Sequence, residues 1–426
     1  MCNRQLEASI VPTQAGPALE RSLSLLQATL YGLGVTIGAG IYVLVGAATA
    51  RAGMHAPFAF LLAAALMALS AASFAELAGR LPVAAGEAAY VREAFQSDRL
   101  ATGVGLLVVA IAIVAAAAIS LGSAGYIGVF LALPEPVLVT GVVVAMTAIA
   151  AWGINASVSF AGVMTVIEIG GLVMLVLVGM AMEPDLVRRL PEAVPPLTDG
   201  GAIAGIVGTA LLAVFAFIGF EGLANVAEEV RDPKRTLPYA IFLTLAISAL
   251  LYVLVVWVAL VSVGQAELAE SKAPLALVFE RLTGASPRTM SAIAIVATLN
   301  GIIVQIIMSS RVLYGLARQG NLPAALGTVS KTTRTPLVAT AVTSALVLIL
   351  ALALPLQHLA DLTARMTLVV FALVNLSLIR IKGRECPRER PREGHALTGF
   401  VAPTWVPWAG FASCVALLIL DAMLMV

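Results

Sequence analysis

The chain has 426 residues, 60% of them hydrophobic and only 12% charged, with a mean hydropathy of +1.01. Soluble domains carry about 25% charged residues, so an ordinary soluble enzyme is excluded, and a net charge of +1 offers no electrostatic footprint for nucleic acid. Cys2, Cys386 and Cys414 are far apart and odd in number, which fits neither a disulfide framework nor a metal site.

Residues 1–24 are mixed and polar, with Arg4, Glu7, Glu20 and Arg21, and read as a cytoplasmic N-terminal tail rather than a signal peptide. Eleven apolar runs follow near 25–50, 56–79, 101–132, 136–152, 158–181, 202–224, 239–263, 289–317, 336–354, 358–380 and 403–425. Each is long enough to cross a bilayer, which takes about 17 to 25 residues. The sequence predicts an all-α membrane protein of about eleven transmembrane helices.

Lys and Arg set the orientation. With the N-terminus in the cytoplasm, eighteen of the 25 Lys and Arg residues lie inside. Six lie outside (Arg51, Arg188, Arg189, Lys272, Arg281 and Arg288), and Arg365 falls within segment ten. An odd number of spans puts the C-terminus outside. The 80–99 loop has apolar Val83, Ala84, Tyr90, Val91 and Phe95 at helical spacing and reads as a short amphipathic cytoplasmic helix. The 225–238 loop alternates charge sign and ends in a helix-starting proline, the 264–288 loop is long and external, and 381–402 is a charged cytoplasmic linker.

Segment one carries GLGVTIGAGIYVLVG from Gly32 to Gly46. Gly38 and Gly40 each disfavour a helix interior by about 1 kcal/mol relative to Ala. Unpaired backbone in lipid is tolerated only where it meets protein, water or a ligand, so a break here is expected to build a solute site. Free N–H groups from Ala39 onward, at the positive end of a half-helix, would face a substrate carboxylate. Carbonyls near Thr36 and Ile37 would accept from its ammonium. The competing reading is packing alone, because Gly34-Val-Thr-Ile-Gly38 is a GxxxG pattern.

Segment six repeats the theme five segments later: Ile37-Gly38-Ala39-Gly40-Ile41 is matched by Ile218-Gly219-Phe220-Glu221-Gly222. Paired glycine interruptions in two halves point to a binding site between inverted repeats. Phe215, Ala216, Phe217, Ile218 and Gly219 are expected to unwind at Gly219 and complete the site.

Four motifs resemble the amino acid–polyamine–organocation superfamily, and above all bacterial relatives of cationic amino acid transporters. LYGLGVTIGAGIYVLVG resembles its first helix, SFAELAGRLPVAAGEAAYVREAF the signature after its second, FAFIGFEGLANVAEEVRDPKRTLPYAI its sixth helix and following loop, and SRVLYGLARQGNLP the end of its eighth. The resemblance implies a leucine-transporter-type fold of two inverted five-helix repeats. The first would cover residues 25–181 and the second 202–380, joined by an external loop at 182–201. One further helix would cover 403–426. It also implies transport of amino acids, often exchanged or coupled to protons, in a bacterial plasma membrane. Two departures stand out: eleven helices rather than the common twelve, and LADLTARMTL in segment ten, where Arg365-Met366 replaces an Ile-Gly pair.

Glu168 lies about ten residues into segment five. A carboxylate at mid-bilayer costs several kcal/mol unless paired or protonated, so Glu168 is a candidate for proton coupling, against a purely structural, protonated group. In proton-coupled members that this chain resembles, a lysine occupies what looks like the same position. Glu221 resembles an acid used there for proton sensing or polyamine binding, against a salt bridge within the bundle. Phe215 resembles the aromatic over the substrate of arginine/agmatine exchangers. Arg365 could pair with Asp361 one turn away, with Glu221 or with a substrate carboxylate, as a gate or ion pair. Asn300 sits where sodium-coupled members have hydroxyl ligands.

No phosphate-binding GKS/T loop, third dinucleotide glycine or TVGYG-like filter is present, and His55, His358 and His395 are scattered. No cofactor is called for. The sequence thus predicts a secondary transporter of amino acids, not an enzyme. A cationic amino acid or polyamine exchanger, and a non-transporting sensor or scaffold, are the alternatives.

Overall fold

A computed structural model describes residues 23–82, 86–152, 158–196, 198–384 and 399–424. Most of the expected N-terminal tail, Val83 and Ala84 of the amphipathic loop, the middle of the charged linker and the final two residues lie outside the described residues. Every one of the eleven apolar runs is helical. In chain order the helices are α1 (Leu25–Ala52), α2 (Ala56–Arg80), α3 (Gly86–Phe95), α4 (Asp98–Ile127), α5 (Glu135–Trp152), α6 (Val158–Met182) and α7 (Gly200–Phe217). They continue as α8 (Pro233–Ser262), α9 (Gln265–Glu270), α10 (Pro274–Thr283), α11 (Arg288–Arg318), α12 (Leu337–Ala353), α13 (Leu356–Arg384) and α14 (Trp405–Leu424).

Local chemistry starts these helices. Ser24 and Gln27 form a reciprocal capping box at the head of α1. Ser97 caps α4, and the Asp199 carboxylate accepts the Gly201 and Ala202 amides at the head of α7. Among the described residues, nine stretches are long and apolar enough to cross a membrane. One of them, Gly40–Arg80, runs through the 3-10 turn between α1 and α2, and α12 falls just short at 17 residues. The only β feature among the described residues is one bridge between Leu23 and Val230.

α1 sits at the centre, packed against α6, α7, α8 and α11. Its Ile37, Ile41, Tyr42 and Leu44 are fully buried. By contrast, α5 exposes Val137, Val144 and Trp152, and α14 exposes Trp405, Trp408, Ile419 and Met423. Apolar side chains facing outward on this scale mark a lipid-covered surface.

The structure corrects two expectations. α1 is continuous through Gly38–Gly40 rather than broken there, because its glycines admit neighbouring helices instead of an unwound loop. α8 starts at Pro233, behind the left-handed Asp232 (φ 45°), so Pro238 lies inside the helix rather than at its start. The long 264–288 connection holds two short helices, α9 and α10. The expected amphipathic helix is present as α3, with Tyr90, Val91 and Ala94 facing inward.

Candidate functional site

α7 ends where the glycine motif predicts. After Phe217 the chain passes through Ile218 (φ −61°, ψ 130°) and Gly219 (φ 136°) into a 3-10 helix over Phe220–Glu229. Only glycine adopts that φ without strain. The freed Gly219 amide donates to the carboxylate Oε2 of Glu221 at 2.8 Å. Glu221 therefore folds back onto the break instead of forming a salt bridge across the bundle.

The break lies against α1. A Cβ on Gly219 would stand 2.7 Å from the Thr36 backbone, and a Cβ on Gly40 would stand 2.4 Å from the Ala216 Cα. The Tyr252 hydroxyl, reaching in from α8, bridges the two strands of backbone at 2.8 Å from the Thr36 carbonyl and 2.9 Å from the Ala216 carbonyl. The two glycine motifs thus meet in the protein interior, joined by a tyrosine. Phe217, Tyr252 and Phe60 form an aromatic cluster behind them, with ring centroids 5.1 to 6.4 Å apart. Ile37, Ile41, Phe215 and Ala216 are buried at this junction and Ile218 is half-buried.

Glu168 is fully buried on α6. Its Oε1 accepts from the Asn300 amide of α11 at 3.2 Å, while Oε2 has no hydrogen-bonding partner among the described residues. Gly38 faces this oxygen: a Cβ there would lie 3.4 Å from Oε2 and 3.5 Å from the Ala297 carbonyl. The structure therefore brings together Glu168, Asn300 and Gly38 from three helices.

The pairing of Arg365 with Asp361 is not formed. Asp361 instead takes a bidentate contact from Arg51 at the end of α1, at 2.6 and 2.9 Å. Arg365 pairs with Asp421 of α14 at 2.7 Å, not with Glu221. The reason is direction. The carboxylate of Asp361 faces α1 and α7, where Arg51 also reaches the Gly208 carbonyl, whereas Arg365 faces α14.

Sequence reading missed Tyr252, Arg51 and Asp421. A tyrosine in the middle of LLYVLVV was the available signal for Tyr252, since a buried hydroxyl in lipid must find a partner. Beside the break, α3 contributes buried Glu87, whose carboxyl is pushed above the ordinary range by burial.

A polytopic helical bundle with an interrupted helix packed on a glycine-rich partner and a buried carboxylate is an arrangement in which membrane transporters build a solute site. Residues 23–426 match the amino acid permease family, and the chain belongs to it. It is similar to the branched-chain amino acid permease BcaP of Bacillus subtilis (strain 168), at 28% identity over 90% of this chain and 85% of that protein. It is also similar to an uncharacterized transporter of Mycobacterium tuberculosis (strain ATCC 25618 / H37Rv), at 30% identity over 93% of this chain and 87% of that protein. The vacuolar cationic amino acid transporter 2 of Arabidopsis thaliana is 26% identical over 86% of this chain and 60% of its own length.

Proposed function

We propose that the protein is a secondary transporter of amino acids, working by alternating access around the junction of α1 and α7. The observation that carries this reading is the meeting of Thr36–Gly40 with Ala216–Gly219 in the interior, with helical hydrogen bonding interrupted at Gly219. An interrupted helix supplies amide and carbonyl groups to a zwitterion without placing a charge in the bilayer. The site is assigned to Thr36, Ile37, Gly38, Ala39, Gly40 and Ile41 of α1 and to Phe215, Ala216, Phe217, Ile218 and Gly219. The two five-helix repeats, 25–181 and 202–380, are part of the same proposal. So are a cytoplasmic N-terminus, an external C-terminus and a bacterial plasma membrane location.

Substrates with neutral apolar side chains fit best. A dedicated cation pocket needs a carboxylate that stays charged beside the substrate; Glu221 is engaged by the Gly219 amide, and Glu168, held by Asn300 through one oxygen, is assigned to carry a proton instead. The name of the Bacillus relative, a branched-chain amino acid permease, agrees with this. Glu168 is assigned proton exchange: it is buried, and among the described residues it pairs with no cation and its second oxygen has no partner. Glu221 is assigned a secondary role at the break. The Arg51–Asp361 pair, which ties the end of α1 to α13 and α7, is assigned as a gate.

Thermal shift of the purified protein against the twenty amino acids and common polyamines, followed by uptake into proteoliposomes, tests the reading. Stabilisation by leucine, isoleucine or valine with uptake of the same compounds is expected. Stabilisation by arginine, lysine or polyamines alone would move the assignment to a cationic exchanger. Binding without uptake or exchange would make the protein a sensor.

A further inference from the structure

The connector between α8 and α11 is seated on two glycines of other helices. A Cβ on Gly125 of α4 would lie 2.2 Å from the Lys272 carbonyl, and a Cβ on Gly46 of α1 would lie 2.7 Å from the Leu268 carbonyl. Lys272 pairs with Glu135 at the head of α5, and Arg281 pairs with Glu267 at 2.6 Å, closing α9 onto α10. From this seat a run of hydrogen bonds leads inward. The Leu275 amide donates to the Tyr126 hydroxyl at 3.5 Å, the Tyr126 hydroxyl donates to the Tyr42 carbonyl at 2.5 Å, and the Tyr42 hydroxyl donates to the Glu168 carbonyl at 2.6 Å.

Both tyrosines are fully buried. A phenylalanine would fill the same volume, so packing alone does not require the hydroxyls. Each hydroxyl instead ends on a backbone carbonyl of the next helix, which ties α10, α4, α1 and α6 together at defined points. A buried polar chain of this kind is costly when half satisfied and rigid when complete.

We propose that Tyr42 and Tyr126 are positioning residues for Glu168, carrying the seating of the α9–α10 connector to α6. The inference rests on the assignment of Glu168 as the proton-exchanging group. The titratable groups that face Glu168 are Tyr42 from α1 and Tyr252 from α8, with Tyr126 behind Tyr42. α11 contributes uncharged Asn300. Glu280 and Arg281 of α10 are exposed, so the connector acts on Glu168 through the tyrosines rather than through its own charges.

The test is the pH profile of initial uptake into proteoliposomes for wild type, Tyr126→Phe, Tyr42→Phe, Gly125→Val and Glu168→Gln. Tyr126→Phe and Tyr42→Phe should each move the pH midpoint by about half a unit, the equivalent of one modest hydrogen bond. Gly125→Val, which unseats the connector, should move it in the same direction. The Tyr126→Phe/Gly125→Val double variant should shift no further than the larger single shift, because both act on one chain of contacts. Tyrosine variants that lose thermal stability yet keep the wild-type midpoint, alongside a flattened Glu168→Gln profile, would overturn the relay alone. Additive shifts in the double variant would overturn it as well. A Glu168→Gln profile identical to wild type would overturn the assignment of Glu168, and the relay would lose its end point.

Discussion

Gly40 of α1 and Ala216 of α7 approach so closely that a Cβ on Gly40 would sit 2.4 Å from the Ala216 Cα and 3.1 Å from the Ala216 carbonyl oxygen. Real Cβ atoms do not approach backbone to that distance. The glycine motif of α1 therefore serves close helix–helix approach in this conformation, and the interruption of the pair belongs to α7 alone. The two readings of the motif, packing and site, meet in one place, since close approach is what brings Thr36 to the break at Gly219.

Gly40→Ala should destabilise the protein by about 1 to 3 kcal/mol, the cost of overpacking a close contact, and should abolish uptake. Gly170→Ala on α6 is the control, because a Cβ there meets nothing within 4 Å. It should be neutral or stabilising by up to about 1 kcal/mol. Thermal unfolding in detergent with parallel uptake assays reads both. Equal behaviour of the two variants would show that the α1–α7 contact is not tight.

Gly219→Ala should lose transport while retaining expression. Two effects combine: a φ of 136° that an L side chain disfavours by about 1 to 3 kcal/mol, and a Cβ placed 2.7 Å from Thr36. Substrate-induced thermal shift is the readout, and a variant that binds as wild type does would remove the break from the site.

The legible part of the fold was the part written in local hydropathy. Eleven runs of bilayer length became helices because lipid leaves the backbone few other ways to pair its amides. The break at Gly219 was legible because its Ile-Gly pair matches that of segment one, five segments earlier; that Glu221 caps the freed amide was not. The continuity of α1 was not legible. Gly38 and Gly40 lower helix propensity equally whether the helix breaks or a neighbour presses against it, and only the position of Ala216 decides between the two. Arg51–Asp361 was hidden for a similar reason: one turn of spacing made Arg365 the obvious partner, while the actual partner lies 310 residues away in sequence. Asn300 and Glu168 could each be singled out, but their contact depends on how α6 and α11 pack.

Breaking the proposed gate should change accessibility more than stability. The Arg51 side chain is 28% exposed and that of Asp361 10%, so a double-mutant cycle of Arg51→Gln and Asp361→Asn should give a coupling of about 1 kcal/mol or less. Substrate exchange across the membrane should nevertheless be faster, or leaky, in either single variant. Wild-type exchange kinetics in both would leave the pair a structural tie between α1 and α13.

Glu87 makes the prediction for stability against pH. Burial on α3 raises its carboxyl above the ordinary value, so between those two values the folded state holds a proton that the unfolded state has released. The stabilisation is complete below the ordinary carboxylate range and is lost as pH rises through the raised value. Glu87→Gln should therefore melt higher than wild type at neutral pH, with the difference vanishing toward acid pH. A constant difference at all pH values would mean that burial does not shift the Glu87 carboxyl, and a difference of opposite sign, with the variant melting lower at neutral pH, would mean that it is paired with a cation.

Glu168→Gln is the decisive variant for proton coupling. Glutamine has nearly the same shape and can still meet the Asn300 amide through its own oxygen, so the contact between α6 and α11 at 3.2 Å need not be lost. What changes is that the group can no longer take up or release a proton at the oxygen facing Gly38. If that proton drives accumulation, net uptake should lose its pH dependence over about pH 5.5 to 8, where a buried carboxyl can exchange its proton. Exchange of substrate for substrate should survive, because it needs no net proton movement. Asn300→Ala should disturb the profile without flattening it, since it removes a partner and leaves the titrating group in place. Initial uptake in proteoliposomes, with and without an imposed proton gradient, separates these outcomes. A Glu168→Gln protein that keeps wild-type gradient dependence would assign the proton elsewhere, and Glu221, folded against the Gly219 amide at the break in α7, is the next group to substitute.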